Sequence, residues 1–276
     1  MLRTILVGLD GSEHSDSALE LGIRWAKRFD ALLVGMGVVD EPGIHGPEEY
    51  LVGEAYFRGL NKTLLADTRR GVELSLGRYA RRCADAGVAF KELEDVGTPY
   101  VQILMEAQRY DLIVLGHHAH FQFGTGDEPD VTLSKVLADS PRPVVAVPDV
   151  LGDGEAVLIA YDGSLQAARA LAAFEASGLG QGREVHVVSV DEDKKEAARR
   201  AERAVDFLRF HQVNAERWPV DSVFPPAEVI LESVRMVDAG LLVMGAYGQP
   251  VLREFFLGSV TRTVLEKSPV PVFLYH

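Results

Sequence analysis

Gly245-Ala246-Tyr247-Gly248 and, after nine intervening residues, Gly258-Ser259 make a Gly-x2-Gly-x9-Gly-Ser pattern suited to holding an anion. Glycines let backbone N–H groups approach phosphate oxygens with no Cβ in the way, and a helix starting near Ser259 would add unpaired donors and partial positive charge. The pattern lies between an apolar run, Leu241 to Met244, and a helix-like run, Val260 to Glu266, so it reads as a strand-to-helix connection. A second group with binding chemistry, Asp162-Gly163-Ser164, follows the apolar run Ala156 to Tyr161. A carboxylate there can accept hydrogen bonds from ribose hydroxyls.

Other chemistry-bearing residues carry plainer alternatives. His117, His118 and His120 lie near Asp127, Glu128 and Asp130, a mixture that suits zinc or another divalent ion through His117 and His120. Neighbouring histidines do not easily face one ion, so a solvated polar loop stands beside that reading. Gly178-Leu179-Gly180-Gln181-Gly182 resembles a dinucleotide fingerprint, but it follows a helical segment and reads as a helix stop and turn. The charged run Asp191 to Arg203 reads as a solvated helix face, and Cys83, the one cysteine, as a packed bystander.

The elements that would position these groups come in two copies. Ile5-Leu6-Val7-Gly8-Leu9-Asp10-Gly11-Ser12 matches Val157-Leu158-Ile159-Ala160-Tyr161-Asp162-Gly163-Ser164 at an offset of 152. Asp111 to Gly116 matches Gly240 to Gly245 at 129, and Ser140-Pro141 matches Ser268-Pro269 at 128. A period this long marks duplicated domains, expected at 1–149 and 155–276 with a Gly- and Asp-rich linker between. Short apolar runs alternate with helical segments: strands are expected at 4–9, 31–39, 88–92, 112–115 and 144–147, and again at 156–161, 184–190, 215–220, 241–244 and 270–275. The helices expected include 15–29 and 54–86. Apolar strands separated by helices imply an α/β fold with parallel sheets covered on both faces. Ligands of such sheets sit beyond the carboxyl ends of the strands, where the winding reverses, so the Asp-Gly-Ser and Gly-rich loops would share one crevice.

The 276 residues are 47% hydrophobic and carry a formal charge of −13, which opposes binding to nucleic acid or an anionic membrane. No apolar stretch reaches the length of a membrane span, and Met1-Leu2-Arg3-Thr4 lacks a signal-peptide pattern, so a cytoplasmic protein is expected. A segment rich in Gly and Pro, 40–53, reads as a surface loop, with a lid or partner-binding role as the alternative.

Gly245-x2-Gly248-x9-Gly258-Ser259, with Asp162 after the first strand of its repeat, resembles the ATP-binding branch of the universal stress protein family in its tandem, two-domain form. The resemblance covers essentially the whole chain. It implies two Rossmann-like domains, each a five-stranded parallel sheet of order 3-2-1-4-5. Adenine would pack near Ala160 and meet backbone around Ser189 and Val190, with phosphates on Gly245, Gly248, Gly258 and Ser259. The nucleotide-binding set is completed by Tyr161, Asp162, Met244 and Val260. The resemblance also implies pairing of the repeats through their last strands as a pseudo-dimer, and a homodimer of chains.

The first repeat departs from that pattern, with Ala119 where Gly248 stands, Asp130 for Gly258 and Val131 for Ser259. Loss of a hydroxyl donor and gain of a negative charge both oppose phosphate. One adenine nucleotide per chain is therefore expected, in the second repeat: ATP, or ADP or AMP, with Mg2+ as a companion ion. The function expected is that of a stress-response regulator or sensor without dedicated catalysis. A slow Mg-dependent ATPase using Asp162 or Glu254, with Arg253 as the nearby cation, and a structural scaffold are the alternatives.

Overall fold

The computed structural model describes residues 1–41, 54–121, 131–246 and 258–276. Its elements alternate in the order β1 (Thr4–Gly8), α1 (Glu13–Phe29), β2 (Leu32–Val39), α2 (Glu54–Asp85), β3 (Phe90–Val96), α3 (Pro99–Ala107), β4 (Leu112–Gly116), α4 (Thr132–Asp139) and β5 (Val144–Val147). The second series is β6 (Ala156–Ala160), α5 (Leu165–Ser177), β7 (Val185–Asp191), α6 (Lys194–Phe210), β8 (Glu216–Asp221), α7 (Pro226–Met236), β9 (Ala239–Gly245), α8 (Ser259–Lys267) and β10 (Val272–Tyr275). The loop expected at 40–53 lies almost wholly outside the described residues.

Two compact units emerge, 3–141 and 142–276, the latter joined by Met1 and Leu2. Leu2 belongs there because its N–H donates to the Ser177 carbonyl at 3.0 Å. The unit 3–141 holds four parallel strands in the order β3-β2-β1-β4, with Ile5 in register with both Leu33 and Leu112. The unit 142–276 holds β5-β10-β9-β6-β7-β8, parallel except for β5.

The α/β expectation holds, and β6 to β10 show the expected order 3-2-1-4-5. β1 to β4 follow the same order, and what differs from expectation is the unit that takes β5, the fifth strand of the first repeat. It pairs antiparallel with β10, Val145 opposite Phe273 and Val144 opposite Leu274, and so makes a sixth strand in the second unit. The pairing of last strands is present, then, but the first unit keeps four strands. Val144-Val145-Ala146-Val147 is wholly buried. An apolar tetrapeptide signals burial on both faces without recording the direction or the owner of its neighbour.

Local chemistry explains the boundaries. Asp30 and Gly178 end α1 and α5 in the left-handed region, at φ 50° and 78°, as expected for the Gly178 turn. Pro99 and Pro226 open α3 and α7 at corresponding places in the two repeats, where a missing N–H costs nothing. The outer strands β3 and β8 are polar, and β8 contains Pro219, tolerated because an outer strand has no ladder partner on one side. Among the described residues no helix is long and apolar enough to cross a membrane.

Val72, Leu76, Tyr79 and Cys83 form the buried stripe of α2. Burial pushes the Cys83 thiol up to about 11, against a smaller opposing effect of the Arg82 charge. At pH 8 on the order of one thiol in a thousand is then ionised, and the thiolate is the nucleophile. Reaction of native protein with a thiol reagent at pH 8 is expected to run at least about 100-fold slower than in denaturant; equal rates would contradict the packing.

Candidate functional site

In a winding of this order β6 is the centre, with β7 on one side and β9 on the other, so the winding reverses at β6 and β9. Ala160 lies in register with Val188 and with Met244. The carboxyl ends of three neighbouring strands therefore bring together Ala160 and Tyr161, Ser189 and Val190, and Met244 and Gly245. Adjacent strands are about 4.8 Å apart, so these positions span roughly 10 Å. Helix α8 links the parallel neighbours β9 and β10 and must run back along them, which puts its N-terminus at the same carboxyl edge. Gly248, Arg253 and Glu254 lie outside the described residues.

After β6 the chain makes a tight turn. The Ser164 N–H donates to Asp162 Oδ1 at 2.9 Å, and Gly163 takes φ +80°, where a side chain would be strained. Ser164 then caps α5 by accepting from the Ala167 N–H at 3.1 Å. The first repeat builds the same turn from Asp10, Gly11 at φ +80° and Ser12, whose N–H donates to Asp10 Oδ1 at 2.9 Å.

The two aspartates differ in what else reaches them. Asp10 is buried at 4% exposure. Its Oδ1 accepts from the hydroxyls of Ser12 and Ser15, and its Oδ2 accepts from the His120 N–H at 2.5 Å. Asp162 is exposed, and among the described residues its second oxygen has no protein donor. Part of the difference lies in one pair of positions: Ala167 stands where Ser15 donates its hydroxyl to Asp10 Oδ1 in the first repeat. Phe121, 1% exposed, adds to the closure: a Cβ on Gly8 would meet its ring at 2.9 Å, at the strand end that corresponds to Ala160.

Glycine at the fourth strand of each repeat has a packing cause. A Cβ on Gly245 would lie 2.5 Å from the Ala167 nitrogen, and one on Gly116 would lie 2.7 Å from the His14 carbonyl oxygen. Both contacts are to the first turn of the first crossover helix of the repeat, α5 or α1. Because the repeat with the altered motif keeps Gly116, Gly245 by itself says little about phosphate. Gly258 is different: its φ is −53°, and the nearest described atom to an added Cβ is Thr261 Oγ1 at 4.0 Å. The fold leaves that glycine optional, whereas close approach of an anion to backbone N–H groups would favour it. Ser259, exposed, begins α8, and the first turn holds no acidic residue.

The charged run at 191–203 contains more than a solvated face. Arg200 on α6 pairs with Asp191 at 2.9 Å and Glu196 at 3.3 Å, and its methylenes lie 3.5–3.6 Å from where a Cβ on Gly163 would be. It thus brings a guanidinium beside the Asp-Gly-Ser turn, as Arg78 on α2 does by donating to the Gly11 carbonyl at 3.3 Å. Helical spacing alone did not reveal this; the correspondence of Arg78 and Arg200, each on the second helix of its repeat, is the signal that could have. Burial raises the Tyr161 phenol and the Asp162 charge raises it further, with Arg203 opposing, so the hydroxyl stays protonated at neutral pH. Ser189 is 1% exposed and its Oγ has no partner among the described residues.

The histidines of the first repeat are drawn to separate tasks. His118 packs edge-on against His14, ring centroids 5.4 Å apart, and His117 against His118 at 6.4 Å, while His120 donates its backbone N–H to Asp10. Neither His117 nor His120 belongs to a group of three metal-ligand side chains among the described residues, and Asp127, Glu128 and Asp130 lie outside them.

Comparison with known proteins agrees with this architecture. A family model described as "Universal stress protein family" matches residues 1–148 and 220–276. A universal stress protein of Thermus aquaticus is 32% identical over 137 residues, covering 43% of this chain and 96% of that one. One of Synechocystis is 26% identical over 172 residues, covering 60% of this chain and 58% of the relative's length. The crystal structure of a universal stress protein from Archaeoglobus fulgidus superposes with a TM-score of 0.69 at 22% identity, covering 99% and 97% of the two chains, which shows a shared fold.

The close helix approach generates an expectation about stability. Gly116→Ala and Gly245→Ala should each destabilise by about 1–3 kcal/mol through overpacking, read as a lower urea midpoint. Unchanged midpoints in both would contradict a packing role.

Proposed function

The chain belongs to the universal stress protein family, and from that premise we propose that it binds one adenine nucleotide, in the second repeat, as a regulator or sensor in a stress response. The observation that carries the reading is the exposed Asp162, one of whose oxygens has no donor among the described residues, set against the buried Asp10 with donors on both oxygens. Asp162 would accept from ribose hydroxyls, and the backbone around Ser189 and Val190 would meet the adenine edge. The N–H groups at Ser259 and Val260, with the Ser259 hydroxyl and Gly248, would hold phosphates, so that ATP, ADP and AMP differ only in how many of these donors they use.

The same reading has Mg2+ accompany a triphosphate without a protein cage of its own, since Mg2+ is commonly held by phosphates and water. Signalling then follows from occupancy: ligand that orders the loops at the carboxyl edge changes the surface offered to a partner. An arrangement of this kind needs no positioned nucleophile.

Calorimetric titration of the full chain with ATP tests the proposal. One site per chain is expected. Asp162→Ala should weaken it by about 1.5–3 kcal/mol, the worth of a hydrogen bond to a charged group, and Gly258→Asp should abolish it, while Asp10→Asn leaves the affinity unchanged. Two equivalent sites, or no binding at millimolar ATP, would overturn the proposal; multiple-turnover hydrolysis would instead favour the ATPase alternative.

A further inference from the structure

At the opposite end of the strands from the nucleotide crevice, β7 and β8 place an imidazole between two carboxylates. Glu184, immediately before β7, and His186 within it are two residues apart and so share a face, and Glu216 is the register partner of His186 on β8. His186 Nε2 is 3.0 Å from a Glu184 oxygen, and Nδ1 is 3.8 Å from a Glu216 oxygen. One ligand atom from each of the three residues lies within 4.8 Å of the others. The His186 side chain is 10% exposed, so the imidazole is held in place, whereas the glutamates are 69% and 79% exposed and free to swing.

Among the described residues the charge around this ring is uncompensated. Among the described residues neither Glu184 nor Glu216 has a lysine or arginine within ion-pair distance. The neighbouring cations are engaged elsewhere, Arg183 with the carbonyls of Glu155 and Ala156, and Arg217 with Glu202. Two carboxylates flanking one imidazole at the mouth of a buried position attract a compact cation. Imidazole with carboxylate suits divalent ions such as Zn2+ rather than Mg2+ or Ca2+, which prefer oxygen ligands alone.

We propose that Glu184, His186 and Glu216 form a divalent transition-metal site, of the Zn2+ type, that ties the outer strand β8 to β7. Ligands about 2.1 Å from a tetrahedral Zn2+ lie roughly 3.4 Å apart. Rotation of the exposed glutamates closes that gap without movement of the strands, and water completes the coordination. The site is independent of the nucleotide reading and uses none of its residues.

The test is calorimetric titration of chelator-treated, dialysed full chain with ZnCl2, followed by a thermal melt with and without the metal. Wild type is expected to bind Zn2+ with a rise in Tm. His186→Asn and the double variant Glu184→Gln/Glu216→Gln should each lower the affinity at least tenfold and remove the rise, while His117→Asn changes neither. If His186→Asn fails to fold, the double variant decides, because its altered side chains are mostly exposed. No Zn2+ binding by wild type, or binding undiminished in the double variant, overturns the proposal.

Discussion

The site rests on the close approach between the first crossover helix of each repeat and the carboxyl end of the fourth strand. Gly116 admits the His14 turn of α1, and Gly245 admits the Gln166–Ala167 turn of α5. With a Cβ at either place the helix start would have to move outward. The Asp-Gly-Ser turn would move with it, since Ser164 is both the end of that turn and the cap of the helix. Fixing this turn beside the fourth strand is what holds the Asp-Gly-Ser turn at the carboxyl edge of the sheet.

On this shared frame the two repeats diverge through few atoms. Ser15 supplies a hydroxyl to Asp10 where Ala167 supplies none to Asp162, and His120 and Phe121 complete the closure in the first repeat. A carboxylate already accepting from four serine or backbone donors gains little by exchanging them for ribose hydroxyls, because each new hydrogen bond would replace an old one. The first repeat keeps the form of the site and satisfies it internally.

Much of the fold was legible because parallel strands buried on both faces must be continuously apolar, and the repeated Asp-Gly-Ser announced itself at a fixed offset. Element positions such as β2, α2 and β9 follow from that pattern. The membership of β5 in the second unit did not follow, because four apolar residues carry no record of the unit they join. The spacing of Gly245 points to phosphate, and the structure adds a steric reason for it in a helix some 80 residues earlier in the chain. The Glu184-His186-Glu216 group is invisible to sequence spacing for a related reason: it exists only in the register of β7 with β8. The Ser15 and Ala167 contrast, by comparison, lay open to a residue-by-residue alignment of the repeats.

The central claim, that a single open site lies in the second repeat, is tested most directly by hydrogen–deuterium exchange of the full chain with and without saturating ATP. Slowed exchange is expected in the segments 158–164, 188–191 and 258–262, with no change in 8–16 or 116–121. Equal protection of both repeats, or protection confined to the first, would contradict the account.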